Sequence, residues 1–183
     1  MGAEKTDEEL MVAYSRGDIR AFETLYARRR GTLYRFILRN VGDRARAEEL
    51  FQETWSRLIA SRQRYRVEAR FSTWLLHIAH NLIIDNFRRT RPEAGADETE
   101  AVFRELDIPE SERPEQVLGE FELRRRLQLV LDELPELQRE AFLLRVESGL
   151  GLEDIASITG VGRETVKSRL RYALAKIREK FAE

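Results

Sequence analysis

Apolar side chains in this chain recur at intervals of three and four rather than in alternation, in separate runs that each begin or end with helix punctuation. That periodicity predicts an all-α protein. A first helix runs from about Glu8 to Arg16 and stops at Gly17. A second, capped by Asp18, carries Phe22, Leu25, Tyr26, Leu33, Phe36 and Ile37, with Gly31 a candidate bend, and ends near Asn40 to Gly42. Asp43 can cap a third, where Ala47, Leu50, Phe51, Thr54, Trp55 and Leu58 share one side and Glu48, Gln52 and Glu53 lie opposite. Beyond the basic, polar stretch Ser61 to Ala69, Ser72 can cap a fourth helix reaching about Arg89.

The pattern breaks between Pro92 and Glu120, where Pro92, Gly95, Pro109 and Pro114 punctuate a strongly acidic tract opposed only by Arg104 and Arg113. Few apolar groups are there to offset the entropy of ordering it, so it reads as a solvated linker, with Val102, Phe103, Leu106 and Ile108 as a short docking patch. Helical spacing resumes through Val117, Leu118, Phe121, Leu127, Val130 and Leu131. Pro135 then opens a helix with Leu137, Ala141, Phe142 and Leu144, and two shorter helices follow from about Leu152 and Arg163. The expectation is two small helical domains, 1–91 and 117–183, joined by an acidic linker at 92–116, within the 183 residues available.

Apolar residues make up 42% and charged residues 36% of the chain, so its cores must be built from stripes on amphipathic helices. With 32 basic and 33 acidic residues, any attraction for nucleic acid has to be local rather than global. The absence of cysteine excludes disulfides, thiolate zinc sites and cysteine nucleophiles. The N-terminus lacks the apolar core of a signal peptide and no segment approaches a membrane span, so a cytoplasmic location and no membrane insertion are expected.

Leu152 to Val166 has the spacing of a helix-turn-helix: Ala156 is small where two helices cross, Gly160 can take the left-handed turn, and Val161 and Val166 can close the core. On the last helix Val166, Leu170, Ala173, Leu174 and Ile177 cluster on one side, while Glu164, Lys167, Ser168 and Arg171 face away. Arg171 could read guanine edges and Glu164 could accept from cytosine, with Lys167 or Arg163 on phosphates. An ordinary amphipathic helix with a solvated charged face is the alternative.

On the fourth helix Leu75, Ala79, Leu82 and Ile83 share one side, leaving Trp74, His77, Asn81, Asp85 and Arg88 along the other. An aromatic, hydrogen-bonding groups and a cation on one stripe suit opened DNA, whose bases stack and whose phosphates need charge. Equally, Trp74 could belong to the core. His77, His80 and Asp85 invite a metal reading, but the histidines are three apart and no glutamate completes a zinc-hydrolase pattern, so no metal or other cofactor is expected.

Three segments in this order, Ala47 to Ile59, Phe71 to Arg89, and Leu134 to Phe142 followed by Leu152 to Leu174, make the chain resemble a bacterial RNA polymerase sigma factor of the extracytoplasmic-function type. The resemblance implies that Glu49, Gln52 and Glu53 contact core RNA polymerase and that the fourth helix and preceding loop capture the opened −10 element. It also implies that Arg163, Glu164, Lys167, Ser168 and Arg171 meet promoter DNA at the −35 element, with an anti-sigma protein as a further partner and no catalytic site. Arg163 and Glu164 stand where the family frequently carries proline and glycine, so the promoter preference cannot be carried over from the family. A free-standing helix-turn-helix regulator would leave the Gln52 and Trp74 segments unexplained, and an enzyme would lack a nucleophile, phosphate loop or complete ligand set.

Overall fold

The computed structural model describes residues 4–90 and 114–182; the tract holding Val102, Phe103, Leu106 and Ile108 lies outside them. Among the described residues there are no strands. The helices are α1 (Asp7–Ser15), α2 (Ile19–Val41), α3 (Arg44–Ser61), α4 (Phe71–Thr90), α5 (Pro114–Asp132), α6 (Glu136–Val146), α7 (Leu152–Thr159) and α8 (Arg163–Ala182), with a 3₁₀ turn at Arg62–Arg64.

The boundaries follow from local chemistry. Thr6 and Glu9 form a reciprocal capping box on α1, the hydroxyl accepting from the Glu9 amide at 3.2 Å and the carboxylate from the Thr6 amide at 2.8 Å. Asp18 accepts from the Arg20 and Ala21 amides, and Asp43 from that of Arg46, as their positions suggest. Gly42 ends α2 at φ 72°, a left-handed conformation that costs glycine little. α2 is a continuous helix through Gly31.

Three features differ from the sequence-based expectation. α4 begins at Phe71, two residues before the Thr73 start that a Ser72 cap implies, because the Phe71 amide is satisfied by Glu8 Oε1 of α1 at 2.9 Å, across 63 residues of sequence. α5 begins at Pro114, inside the stretch read as linker, and the proline occupies a first turn in which its missing N–H is no loss. α8 is not short but twenty residues long. It packs chiefly on α6 and α7, which cover only the narrow stripe of Val166, Leu170 and Ala173, so Leu174 remains 39% exposed.

The buried apolar residues form a single continuous core. It runs from Leu10, Met11, Leu25, Phe36, Ile37, Leu58, Phe71 and Ile83 in the N-terminal half to Leu131, Leu143, Leu144, Ile155 and Val166 in the C-terminal half. Continuity arises because α2 packs on α6 and α4 packs on α7. Glu140 on α6 and Glu147 at its C-terminal cap, seven residues and so two turns apart, both reach the N-terminal half. Glu140 Oε1 lies 2.6 Å from His80 Nδ1, and Glu147 pairs with Arg39 and with Arg35.

Candidate nucleic-acid interface

The first candidate face is on α8. Gly160, at φ 68° and ψ 26°, ends α7 with its amide donating to the Ala156 carbonyl at 2.9 Å, and this left-handed residue sets the turn from which α8 departs. With Val166 and Leu170 buried beneath, Arg163, Glu164, Lys167 and Arg171 are exposed and Ser168 is half-buried. The charges are paired with near neighbours: Lys167 with Glu164 at 2.8 Å and Arg163 with Glu153 at 3.2 Å, while the Arg171 guanidinium lies 5.2 Å over the Tyr172 ring. The Lys167 hydrogen bond, with the charges of Lys167 and Arg163, holds the Glu164 carboxyl below the usual carboxylate range, so it is an acceptor throughout the neutral region. Exposed pairs of this kind contribute only about 0–1 kcal/mol, so exchanging them for phosphates or base edges costs little.

The second face is composite. On α4, His77, Asn81 and Arg88 are exposed, and Trp74 and Asp85 are half-buried. Trp74 is neither core nor free: its ring lies 5.2 Å from that of Tyr65, which closes the preceding loop by donating from its hydroxyl to the Ala69 carbonyl at 2.9 Å. Burial, helped by the negative charges of Glu8 and Asp7, pushes the Tyr65 phenol up to about 12, so it remains a donor. Gln63 Nε2 ties the loop to the Ser15 carbonyl at 2.7 Å, and Glu8 holds its end at Phe71. Arg64, Arg66 and Arg70 are exposed around it. Desolvation, and secondarily the neighbouring His80, keeps the His77 imidazole below its ordinary value, which makes it a hydrogen-bonding group rather than a cation at neutral pH.

On α3, Glu49, Gln52 and Glu53 are all exposed. Glu53 accepts from Arg57 at 2.9 Å and Glu49 pairs with Arg46. A groove of about 230 Å³ between α3 and α4 is lined by Glu49 and Glu53 together with Asp85, Asn86 and Arg89. Glu49 and Glu53, which the resemblance assigns to polymerase, therefore share one depression with Asp85, which it assigns to DNA. His77 and His80 do not converge on a common point with Asp85, since His80 is engaged with Glu140, and among the described residues no cluster of three or more His, Asp or Glu could hold a metal. Sequence reasoning missed Tyr65, Glu8 and Arg70. The basic stretch from Ser61 signals a charged loop, but nothing local reveals that α1 braces it.

Such a molecule is an all-helical protein that carries a helix-turn-helix, with a second face that combines an aromatic with basic and hydrogen-bonding side chains. Residues 25–93 match sigma-70 region 2 and residues 124–177 match sigma-70 region 4. The chain is 30% identical to the RNA polymerase sigma-H factor of Pseudomonas aeruginosa, over 93% of this chain and 91% of that one. It is likewise 30% identical to the ECF RNA polymerase sigma-E factor of Haemophilus influenzae, over 99% and 98%. The sigma factor RpoE of Bartonella quintana, solved in complex with the anti-sigma factor NepR, shares the fold with a TM-score of 0.66 at 22% identity, over 88% of this chain and 96% of that one. The chain belongs to the RNA polymerase sigma factors of the sigma-70 family, in the extracytoplasmic-function group. Its activity is to direct core RNA polymerase to initiate transcription at particular promoters.

Proposed function

We propose that the work of this sigma factor is divided among three faces. Arg163, Glu164, Lys167, Ser168 and Arg171 read the −35 element as duplex. Trp74, His77, Asn81, Asp85 and Arg88, with the Tyr65 loop, hold the opened −10 element. Glu49, Gln52 and Glu53 dock on core polymerase. The observation that carries the reading is the row Arg163, Glu164, Lys167 and Arg171, exposed on the second helix of a helix-turn-helix whose opposite stripe is buried. The functional units are 1–91 and 117–183, with 92–116 between them.

The protein acts by binding and positioning and carries out no catalysis of its own. It works in the cytoplasm; in keeping with this, no helix among the described residues is long and apolar enough to cross a membrane. An anti-sigma protein is its regulator, a reading supported by the complex in which the Bartonella quintana fold relative was solved.

Run-off transcription with core polymerase and a pool of genomic promoters tests the whole reading. Discrete products that depend on this chain are expected, and their absence would sink it. Gln52→Ala combined with Glu53→Ala should weaken core binding at least several-fold with helicity and melting temperature nearly unchanged, since both side chains are exposed. Unaltered core affinity would return that face to solvent.

A further inference from the structure

The arginines of the N-terminal half differ in what they face. Most of those on α2 and α3 are held by carboxylates, among them Arg28 and Arg29 by Asp7, Arg44 by Glu48 and Arg57 by Glu53. Arg62, Arg64 and Arg66, in and just after the 3₁₀ turn, and Arg16 at the C-cap of α1 form no ion pair among the described residues. Glu68 is the one carboxylate between Ser61 and Arg70. The two acids whose charges reach Tyr65 from α1 are already engaged, Asp7 by Arg28 and Arg29 and Glu8 by the Phe71 amide.

These four cations are brought to one corner and three of them stand exposed there, with Arg62 half-buried. Gln63 Nε2 donates to the Ser15 carbonyl at 2.7 Å, which lays the 3₁₀ turn against the end of α1 beside Arg16. The Arg62 guanidinium lies 5.9 Å over the Tyr14 ring and donates from Nη1 to the Ile59 carbonyl at 2.9 Å. Arg66 folds back, its Nη1 donating to the Gln63 and Tyr65 carbonyls at 3.4 and 3.3 Å. Carbonyls and a ring fix a guanidinium without neutralising it, and most of its five N–H donors stay available to another acceptor. A merely solvated face needs no such fixing. A phosphate site gains from it, because side-chain freedom is lost before the ligand arrives.

The corner adjoins the face proposed to hold an opened strand. Arg64 and Arg66 flank Tyr65, whose ring meets that of Trp74 at 5.2 Å. From Trp74 to Arg88 α4 runs about 21 Å at about 1.5 Å per residue, room for roughly six stacked nucleotides at about 3.4 Å each. A longer strand stacked on Trp74 therefore leaves α4 across the Tyr65 loop.

We infer that Arg16, Arg62, Arg64 and Arg66 form a phosphate-binding corner for single-stranded DNA, which takes the strand where it runs off α4 past Trp74. The inference rests on the strand-holding role of α4 proposed above. Its ligand is the sugar–phosphate backbone, since Tyr14 and Tyr65, the rings beside it, are buried and offer no face to a base. Binding there is indifferent to sequence.

The test titrates the full chain with single-stranded, random-sequence pools of 6-mers and 12-mers, followed by tryptophan fluorescence. The chain has two tryptophans and Trp55 is buried, so quenching by a stacked base reports Trp74. With wild type the 12-mers should half-saturate at about 10-fold lower concentration than the 6-mers, with a salt slope steeper by about 2 to 3, at about 0.7 per phosphate. In Arg16→Gln, Arg62→Gln, Arg64→Gln, Arg66→Gln most of that length gain should vanish while quenching at saturation is unchanged. Arg16→Lys, Arg62→Lys, Arg64→Lys, Arg66→Lys keeps the charges and should keep most of the gain. A control with equal charge change at exposed positions elsewhere, Lys5→Gln, Arg30→Gln, Arg44→Gln, Arg178→Gln, should also keep it.

Wild-type 12-mers no tighter than 6-mers would overturn the proposal, as would equal losses in the corner and control variants. A lysine variant as weak as the glutamine one would make these side chains packing groups and overturn it too. Should the glutamine variant lose helicity, Arg16→Gln with Arg64→Gln, both exposed, decides by the same comparison and should lose about half the gain. Poly-glutamate that displaces a fluorescein-labelled 12-mer as well as unlabelled 12-mer does would reassign the corner to acidic protein segments. Quenching that persists in Trp74→Phe, or is absent at both lengths, sinks the strand-holding role of α4, and anisotropy of the labelled 12-mer on the corner and control variants then still judges the corner.

Discussion

The two faces proposed to meet DNA are built in opposite ways. The α8 face is one helix: a buried stripe of Val166, Leu170 and Ala173 fixes it, and its charges pair with neighbours on α8 or on α7 just before it. The α4 face is assembled from four pieces, with α1 supplying Glu8 and Ser15, the 3₁₀ turn Gln63, the loop Tyr65, and α4 itself Trp74. Reading duplex needs a rigid convex surface that a single amphipathic helix provides. Holding an opened strand calls for an aromatic partly withdrawn from water with cations around it, and here the loop before α4 adds Tyr65 beside Trp74 and the exposed Arg64, Arg66 and Arg70.

The sharpest way to break this contrast is Trp74→Ala. Extruding a base costs a few kcal/mol, and aromatic stacking returns about 1 to 3 kcal/mol per base, so its loss should cut open-complex yield about tenfold or more while closed complexes still form. A template mismatched across the −10 element should restore much of the activity. Equal defects on both templates would make Trp74 a packing residue leaning on Tyr65 and nothing more.

Arg171→Ala is the matching test on α8. It should cost about 1 to 3 kcal/mol on the preferred duplex and relax selectivity at one base pair, measured by competition gel shifts on a substituted −35 set. Lys167→Ala should weaken all sequences alike and reduce the salt slope by about one. Uniform losses for Arg171 would demote it to a phosphate contact.

Gly160→Ala probes the rigidity of α8. A Cβ there meets nothing within 4 Å, so the only penalty is a left-handed backbone at φ +68°, roughly 1 kcal/mol or somewhat more in thermal unfolding. A neutral result would show that the turn can change conformation.

The smallest effect concerns the loop. Tyr65 is held neutral to about 12, against 10.0 for its ordinary value, so between those pH values the unfolded chain releases a proton that the folded chain retains. Stability should therefore fall as pH rises through that window, and Tyr65→Phe should flatten the slope. Absorbance titration should show a late-ionising tyrosine in the wild type that is missing from that variant; identical titration curves apart from one fewer tyrosine at the ordinary value would mean that the loop is not closed.

What was legible in the sequence follows the same division. The helix starts at Asp18 and Asp43, the turn at Gly160 and the outward row on α8 are local, encoded within a few residues of where they act. The start of α4 lies two residues before the one that Ser72 suggests because its first amide is satisfied by Glu8. Nothing in the local sequence marks Glu140 on α6 or Glu147 at its C-terminal cap, because their partners lie in the other half of the chain. The beginning of α5 was hidden by acidic composition, which resembles that of an unstructured tract until a first-turn proline is taken into account. Trp74 could be read either as core or as a stacking surface, and its position against Tyr65 partakes of both.

The brace from α1 bears on where this protein can be cut. The match to sigma-70 region 2 begins at residue 25, yet Glu8 at the start of α4, the Ser15 carbonyl beneath Gln63, and Asp7 between Arg28 and Arg29 all lie upstream of it. A fragment trimmed to the homologous segment would retain α2 from Leu25 onward, α3 and α4, and with them nearly every side chain proposed to touch DNA or polymerase in that half. It would lose the groups that set the shape of the loop between α3 and α4. Amide exchange in such a fragment should be fastest at residues 65 to 71 while the middle of α4 stays protected, so the unit that folds in this half is larger than the unit that homology recognises.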